Sequence, residues 1–128
     1  MLSVKYLEEN EQEAYYDRLG KEALNNLNIE IAAEAFRLAK NISLVLTVQQ
    51  LSNETEKKVL LGHIAAILGK EDLAQELFVS SSQPEKALDL RMDLQDWDVA
   101  LKLAKQYNKN KETFISRKLA SQYEKQNT

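Results

Sequence analysis

The hydrophobic and polar positions between Asp72 and Leu103 follow one pattern three times. The copies begin at Asp72, Glu85 and Asp98, each 13 residues after the one before. In every copy an acidic residue comes first, an alanine follows two positions later, and a leucine comes three positions after the alanine. Because three positions are nearly one turn of an α-helix, the alanine and the leucine share a helix face. The repeat therefore predicts short helices joined by tight turns, with two helices forming one hairpin.

The residue types in this repeat have a structural explanation. The acidic residue falls in the first helical turn, where its charge interacts favourably with unpaired backbone amides. The small alanine lets neighbouring helices approach closely, and the leucine fills the remaining space. Since no reactive side chain recurs at these positions, we interpret them as architecture rather than chemistry.

The rest of the chain shows the same helical period with looser spacing. We predict helices from Glu13 to about Leu27, Asn28 to about Lys40, Leu44 to Leu51, Asn53 to Gly69, Leu73 to Val79, Pro84 to about Asp93, Trp97 to Tyr107, and Glu112 to about Lys125. The predicted N-caps include Asn28, Ser43 and Asn53. The segment Leu44–Leu51 has strand propensity, but a lone strand would find no pairing partner in this sequence, so helix is favoured. In the last helix the predicted inward-facing residues are Phe114, Ile115, Leu119, Ala120 and Tyr123.

About eight helices with links of two to five residues predict an all-α fold. Short links make neighbouring helices antiparallel, and the product is an α-solenoid of helical hairpins of the tetratricopeptide type (TPR-like). Residues 1–12 are rich in glutamate and are predicted to be a polar leader. Residues 13–128 are predicted to be a single α-solenoid segment of a larger protein.

Composition narrows the possible functions. The 128 residues carry a formal net charge of −3, which argues against nucleic acid as a partner because phosphate backbones require clustered excess Lys and Arg. The absence of cysteine excludes disulfides and thiolate metal sites. No apolar run approaches the roughly 20 residues that a membrane-spanning helix needs, so no direct membrane insertion is expected.

Side chains with catalytic or ligand-binding chemistry are few. His63 is the only histidine and lies on or beside an apolar stripe, whereas a metal site requires several ligands and a catalytic histidine requires a nucleophile. We therefore predict a packing or hydrogen-bonding role for it. The three glycines are too scattered to cradle a phosphate, and the paired acids, such as Glu71 with Asp72, fall at helix starts. The sequence thus predicts no catalytic residue, no cofactor-binding residue, no metal ligand and no small-molecule substrate.

Three stretches of the sequence are similar to a known family. Leu60–Ala65, Leu73–Ser82 and above all Lys86–Lys105 resemble the helical-repeat region of WD-repeat subunits of intraflagellar transport complex A, within a resemblance that covers about Leu19 to Leu119. The most specific part is Arg91–Ala104, because a generic helical repeat requires its alanines and leucines but not the sequence Arg-Met-Asp-Leu-Gln-Asp-Trp-Asp with which it begins.

The resemblance implies a non-catalytic scaffold rather than an enzyme. Its partners would be other complex A subunits. It would act in retrograde ciliary transport and in the ciliary entry of membrane proteins. It would be located on the cytoplasmic side of the cilium or flagellum and at the basal body. The alternative is a helical-repeat segment of another coat-like subunit in vesicle trafficking, similar to coatomer; a small helical ligand-binding domain or enzyme is a weaker one. The candidate partner surface consists of the residues that the repeat does not require: Arg91, Met92, Asp93, Gln95 and Trp97.

Overall fold

Eight α-helices and one short 3-10 helix form the regular structure of residues 8–126, the part of the chain that this computed structural model describes. They are α1 (Glu9–Asn25), α2 (Ile29–Leu38), α3 (Ile42–Leu51), α4 (Lys57–Ile67), α5 (Glu71–Val79), α6 (Glu85–Asp93), α7 (Trp97–Tyr107), the 3-10 helix (Lys109–Lys111) and α8 (Glu112–Gln126). No strand occurs among the described residues. The predicted all-α class is confirmed, including a helix at Leu44–Leu51.

Helices that follow one another along the chain pack together. α1 packs on α2, α2 on α3, α4 on α5, α5 on α6, α6 on α7 and α7 on α8, and α1 also touches α4. The links between them are three to five residues long. Such short links bring a helix back beside the one before it. The exception is the pair α3 and α4, which pack together only weakly. The result is the predicted α-solenoid of helical hairpins.

Four helix ends close with the same backbone turn. The residues in the left-handed conformation are Leu27, Lys40, Gly69 and Gln95, with φ between 58° and 79°. At each, the next amide donates to the carbonyl five residues back, as the Lys70 amide does to the Ala65 carbonyl at 2.8 Å. This arrangement is a Schellman motif, which supplies donors to carbonyls that the end of a helix leaves unpaired. Only one of the four turns uses glycine, so the sequence marks only that one clearly.

Three hairpins share one register around this turn. Aligned on their left-handed residues, α1–α2, α4–α5 and α6–α7 each place a fully buried alanine five residues after the turn: Ala32, Ala74 and Ala100. The first two hairpins also place a glycine seven residues before the turn and a phenylalanine nine residues after it. This second repeat, 42 residues long, was not part of the sequence-based prediction.

The glycine and the phenylalanine of each pair are in direct contact. A Cβ atom built on Gly20 would lie 2.6 Å from Cε1 of Phe36, and one built on Gly62 would lie 2.6 Å from Cε1 of Phe78. In α6–α7 the corresponding positions hold Leu88 and Ala104, and both are fully buried. In this third hairpin the larger side chain thus belongs to the first helix and the smaller one to the second, whereas in the other two hairpins the order is reversed.

The buried interior consists of two hydrophobic clusters that meet at α4. Phe36 belongs to the first cluster, formed mainly by α1–α3, whereas Phe78 and Ile115 belong to the second, formed by α4–α8. α4 contributes Ile64 to the first cluster and Val59 to the second. Since one helix takes part in both clusters, α4 connects the two halves of the stack.

The 13-residue repeat has the predicted role. Ala74, Ala87 and Ala100 are fully buried, and the repeated acids lie in the first turns of α5, α6 and α7. Of the repeated leucines, Leu103 is buried, and Leu77 and Leu90 pack partly buried against the same cluster. The alanines are therefore the most deeply enclosed part of the repeat.

Two of the predicted N-caps are wrong. Asn28 caps α2 as expected, through a side-chain oxygen that accepts a backbone amide. At α3, Asn41 takes that role instead of Ser43, because the helix starts one residue before the serine. Asn53 lies in a five-residue link, and α4 begins only at Lys57. In both cases several polar residues precede the apolar stripe, and the stripe alone does not select the cap.

The predicted inward face of α8 is largely wrong. Ile115 is fully buried, but Phe114 and Tyr123 are about half exposed, at 49% and 50%. Leu119 is partly buried and Ala120 is exposed. Among the described helices α8 packs extensively only on α7, which covers one narrow face of it.

The predicted leader, residues 1–12, lies partly outside the described residues. α1 begins at Glu9, so Glu9 to Gln12 belong to a helix, and the Glu9 carboxylate pairs with the amine of Lys40. For residues 1–7 the leader stays a prediction.

Candidate protein-interaction surface

Arg91 connects α5, α6 and the start of α7. Its side chain is buried, and its Nε donates to Oε1 of Gln75 at 2.6 Å. Its Nη2 donates to Oδ1 of Asp72 at 2.9 Å, and its Nη1 donates to Oδ2 of Asp96 at 3.3 Å. A guanidinium suits this place because its planar fork donates in several directions at once. Arg91 therefore has a structural role inside the protein, and its predicted role in partner binding stays a prediction.

Gln95 and Trp97, two of the five residues of the predicted partner surface, line one groove between the start of α7 and the second half of α8. The groove has a volume of about 330 Å³. Its lining residues are Gln95, Trp97, Lys118, Ser121, Gln122 and Lys125. We call it the α7–α8 groove. Trp97 is half-buried, and its ring meets that of Phe114 edge-on with centroids 6.2 Å apart. The indole thus packs between neighbouring helices and also forms part of the groove.

Met92 and Asp93 lie away from the α7–α8 groove. Met92 is half-buried against the second hydrophobic cluster. Asp93 is exposed and lines a different groove, together with His63, Lys86 and Asp89. The five predicted residues therefore do not form one continuous surface, and their role in partner binding stays a prediction.

His63 packs against an aromatic ring. Its imidazole meets the ring of Phe78 edge-on, with centroids 5.0 Å apart. Burial lowers the pKa of His63 below its usual value, the positive charge of Lys86 lowers it further, and Glu54 acts in the opposite direction. The neutral imidazole is therefore favoured at pH 7. The described residues contain no group of His, Asp and Glu side chains arranged to hold a metal ion.

Charge is distributed unevenly along the chain. Residues 102–126 contain seven Lys or Arg and two acids, although the whole sequence has a net charge of −3. The acidic excess therefore lies in the preceding helices. Two of the basic side chains, Lys118 and Lys125, line the α7–α8 groove. Within residues 8–126 the structure has no helix both long and apolar enough to cross a membrane.

The class of this protein follows from the fold. Antiparallel hairpins stack in series, and fully buried alanines lie at the helix crossings. These features define a TPR-like α-solenoid domain. A family model described as "IFT80/172/WDR35/WDR19 TPR domain" matches residues 16–127. The chain belongs to this family, and the resemblance found in the sequence is confirmed.

Several curated proteins are similar to the chain over most of its length. WD repeat-containing protein 19 of Homo sapiens is 36% identical over 112 residues, which are 88% of this chain and 8% of that protein. WD repeat-containing protein dyf-2 of Caenorhabditis elegans is 29% identical over 87% of this chain and 8% of that protein. WD repeat-containing protein 35 of Rattus norvegicus is 25% identical over 79% and 9%, respectively. The chain thus spans less than a tenth of the length of these relatives.

Proposed function

We propose that this chain is a non-catalytic scaffold segment of an intraflagellar transport complex A subunit. The observation that carries the proposal is the family match over residues 16–127, together with relatives that are WD repeat-containing proteins 19 and 35. The segment acts in retrograde ciliary transport and in the ciliary entry of membrane proteins, on the cytoplasmic side of the cilium and at the basal body. Its partners are other complex A subunits.

The architecture supports a scaffold. In a stack of hairpins each unit contacts mainly its neighbours, so the stack presents an extended surface along its length. Two side chains that could in principle bind a ligand or transfer a proton have structural roles instead. His63 packs against Phe78, and Arg91 donates hydrogen bonds to Gln75 on α5 and to Asp96 just before α7. A binding role that depends on surface shape and charge fits this arrangement better than catalysis does.

A co-purification experiment tests the proposal. The 128-residue chain, carrying an affinity tag, is mixed separately with purified complex A subunits and with coatomer subunits. We expect it to retain at least one complex A subunit and no coatomer subunit. Retention of coatomer subunits alone would favour the coat-like alternative. If the folded chain retained neither, the scaffold proposal would be rejected.

A second measurement addresses the enzyme or ligand-binding alternative. Metal content of the purified chain is determined, and the His63→Ala variant is compared with the wild type for retention of the same subunits. We expect no stoichiometric metal and unchanged retention, since the imidazole packs against a ring inside a groove. Stoichiometric metal that is lost in the variant would contradict the proposal.

A further inference from the structure

The α7–α8 groove combines positive charge, an aromatic wall and neutral amides. We propose that it binds an extended acidic segment of a partner protein, in which carboxylates flank an apolar side chain. This inference rests on the proposed function and names the chemistry of one of its binding sites.

The two lysines give the groove its charge preference. Lys118 and Lys125 are its only ionisable lining residues, and no acid lines it. The Lys118 amine lies 5.5 Å above the Phe114 ring and makes no ion pair with a carboxylate in the described part of the chain. A carboxylate of a partner would supply that missing counter-charge.

The acids at the start of α7 already have partners. Asp96 accepts a hydrogen bond from Arg91, and Asp98 accepts one from the hydroxyl of Tyr123 at 3.2 Å. The nearby Asp98 carboxylate and this hydrogen bond both raise the pKa of Tyr123, so the phenol keeps its proton for that bond. Both carboxylates are thus hydrogen-bonded within the protein, and neither of them lines the groove.

The charge around the groove acts in the same direction. Residues 95–126, which include every lining residue of the groove, contain seven basic residues and four acids, whereas the preceding residues carry an excess of acids. Clustered charge of one sign draws an oppositely charged partner and raises its rate of association.

The shape of the groove favours a peptide over a folded surface. A volume of about 330 Å³ accommodates a few side chains. Trp97 offers a flat apolar wall for one of them, and the amides of Gln95 and Gln122 pair with backbone groups of an extended chain. A membrane fits less well, since it requires a broad apolar helix face bordered by Lys and Arg, whereas five of the six residues that line this site are polar.

The lone tryptophan makes the proposal directly measurable. Trp97 is the only tryptophan in the sequence, so its fluorescence reports on the groove alone. The probe is a peptide of alternating glutamate and leucine, titrated into the 128-residue chain; the same peptide, labelled with fluorescein, is followed by anisotropy. We expect saturable binding that shifts the Trp97 emission and weakens with added salt. A peptide with glutamine in place of glutamate should not bind.

Charge reversal identifies the site. The double variant Lys118→Glu/Lys125→Glu should bind the acidic peptide at least about tenfold more weakly, since two attractive contacts become repulsive. The matched control is Lys102→Glu/Lys105→Glu, which makes the same change in net charge at exposed positions of α7 outside the groove. The control should bind within about twofold of the wild type. Circular dichroism verifies that both variants are folded.

Four outcomes would overturn the groove proposal. The first is an equal loss of peptide binding in the two double variants, and the second is no binding of the acidic peptide by the wild type. The third is binding of the acidic peptide without any change in Trp97 emission. The fourth is that the wild type binds phosphatidylserine vesicles in preference to the peptide. The test is separate from the co-purification experiment. Retention of complex A subunits with no peptide binding rejects the groove alone, and peptide binding with no subunit retained rejects the proposed function alone.

Discussion

Gly62 leaves open the space that the ring of Phe78 fills. A Cβ atom at Gly62 would lie 2.6 Å from Cε1 of that ring, a separation that real Cβ atoms essentially never show. Gly20 and Phe36 repeat the relationship 42 residues earlier. Both phenylalanines are almost fully buried, so neither ring has solvent to move into. The glycines are therefore required by packing, although each lies inside a helix.

Gly62→Ala should destabilise the protein. Inside a helix this substitution normally stabilises by about 1 kcal/mol. Here the added methyl group meets a fixed aromatic ring, and overpacking costs about 1–3 kcal/mol. We expect a net loss of roughly 1–2 kcal/mol in the free energy of unfolding, measured by urea denaturation.

A second variant separates this clash from other effects. Gly62→Leu/Phe78→Ala reproduces the pair Leu88 and Ala104 of the third hairpin. Because the large side chain is only moved across the same contact, the double variant should be more stable than Gly62→Leu alone. A loss equal to the sum of the two single losses would show that the two positions do not share one space.

Ala100→Leu tests the role of the 13-residue repeat. Ala100 is fully buried at a close helix crossing, so the larger side chain should cost about 1–3 kcal/mol of stability. Ala120→Leu is the matched control, because Ala120 is exposed on α8. It should change the free energy of unfolding by no more than about 0.5 kcal/mol. Equal losses in denaturant melts would mean that the alanine does not mark the helix crossing.

The class of the fold could be predicted from the sequence because its signals are local and repeated. An acid, an alanine and a leucine at fixed spacing describe a helix start, a close crossing and a filled gap, and each is visible without knowing the partner helix. The pairing of Gly62 with Phe78 is different in kind. The two residues lie 16 positions apart in the sequence, on neighbouring helices, and only the turn between these helices determines that the two positions meet.

Three of the four left-handed turns lack glycine, so the local sequence did not predict them either. One of them leads to a stability prediction. Gln95 has φ of 58°, a conformation that costs a residue with a side chain about 1 kcal/mol or more, whereas glycine adopts it freely. Gln95→Gly should therefore stabilise by about 0.5–1 kcal/mol, even though glycine increases the freedom of the unfolded chain.

The matched control for this turn is Gln49→Gly. Gln49 is exposed within α3, and the same substitution there should destabilise by about 0.5–1 kcal/mol. The two variants should thus shift the midpoint of thermal unfolding in opposite directions. A lower midpoint for both would contradict the role given to the left-handed turn.

The candidate surface was harder to predict than the fold. Arg91 belongs to a segment that a generic repeat does not require, but its charge is used inside the protein, by Gln75 and Asp96. The two lysines of the α7–α8 groove lie on α8, for which the sequence-based prediction of the inward face was largely wrong. The sequence therefore did not indicate that these lysines lie near Trp97. The excess of basic residues after position 101 was the one sequence signal that could have indicated this surface.

Arg91→Ala should destabilise by roughly 1.5–3 kcal/mol. The variant removes a buried side chain and leaves Gln75 without its donor. The bond to Asp72 contributes little of this, because that carboxylate is fully exposed and screened by water. Arg91→Lys should recover less than half of the loss, since one ammonium group cannot reach acceptors in several directions. Arg117→Ala, at an exposed position of α8, is the control and should cost no more than about 0.5 kcal/mol in urea denaturation.

The lowered pKa of His63 predicts how stability depends on pH. Burial is the main cause, with a further contribution from Lys86. Between the lowered folded-state pKa and the ordinary value of about 6.5, the unfolded chain binds this proton and the folded chain does not, so stability falls as the pH falls through that window. Above about pH 7 both states are neutral and His63 contributes no pH dependence.

The measurement is the free energy of unfolding of wild type and His63→Gln in urea at several pH values between about 7.5 and 5.5. The other charged groups that line the same groove, Lys86, Asp89 and Asp93, are present in both proteins, so the two proteins differ only in the imidazole. We expect the wild type to lose more stability than the variant as the pH is lowered. If the wild type instead gained stability relative to the variant, the imidazole would be favoured in its charged form when the protein is folded, and burial could not be the dominant influence on it.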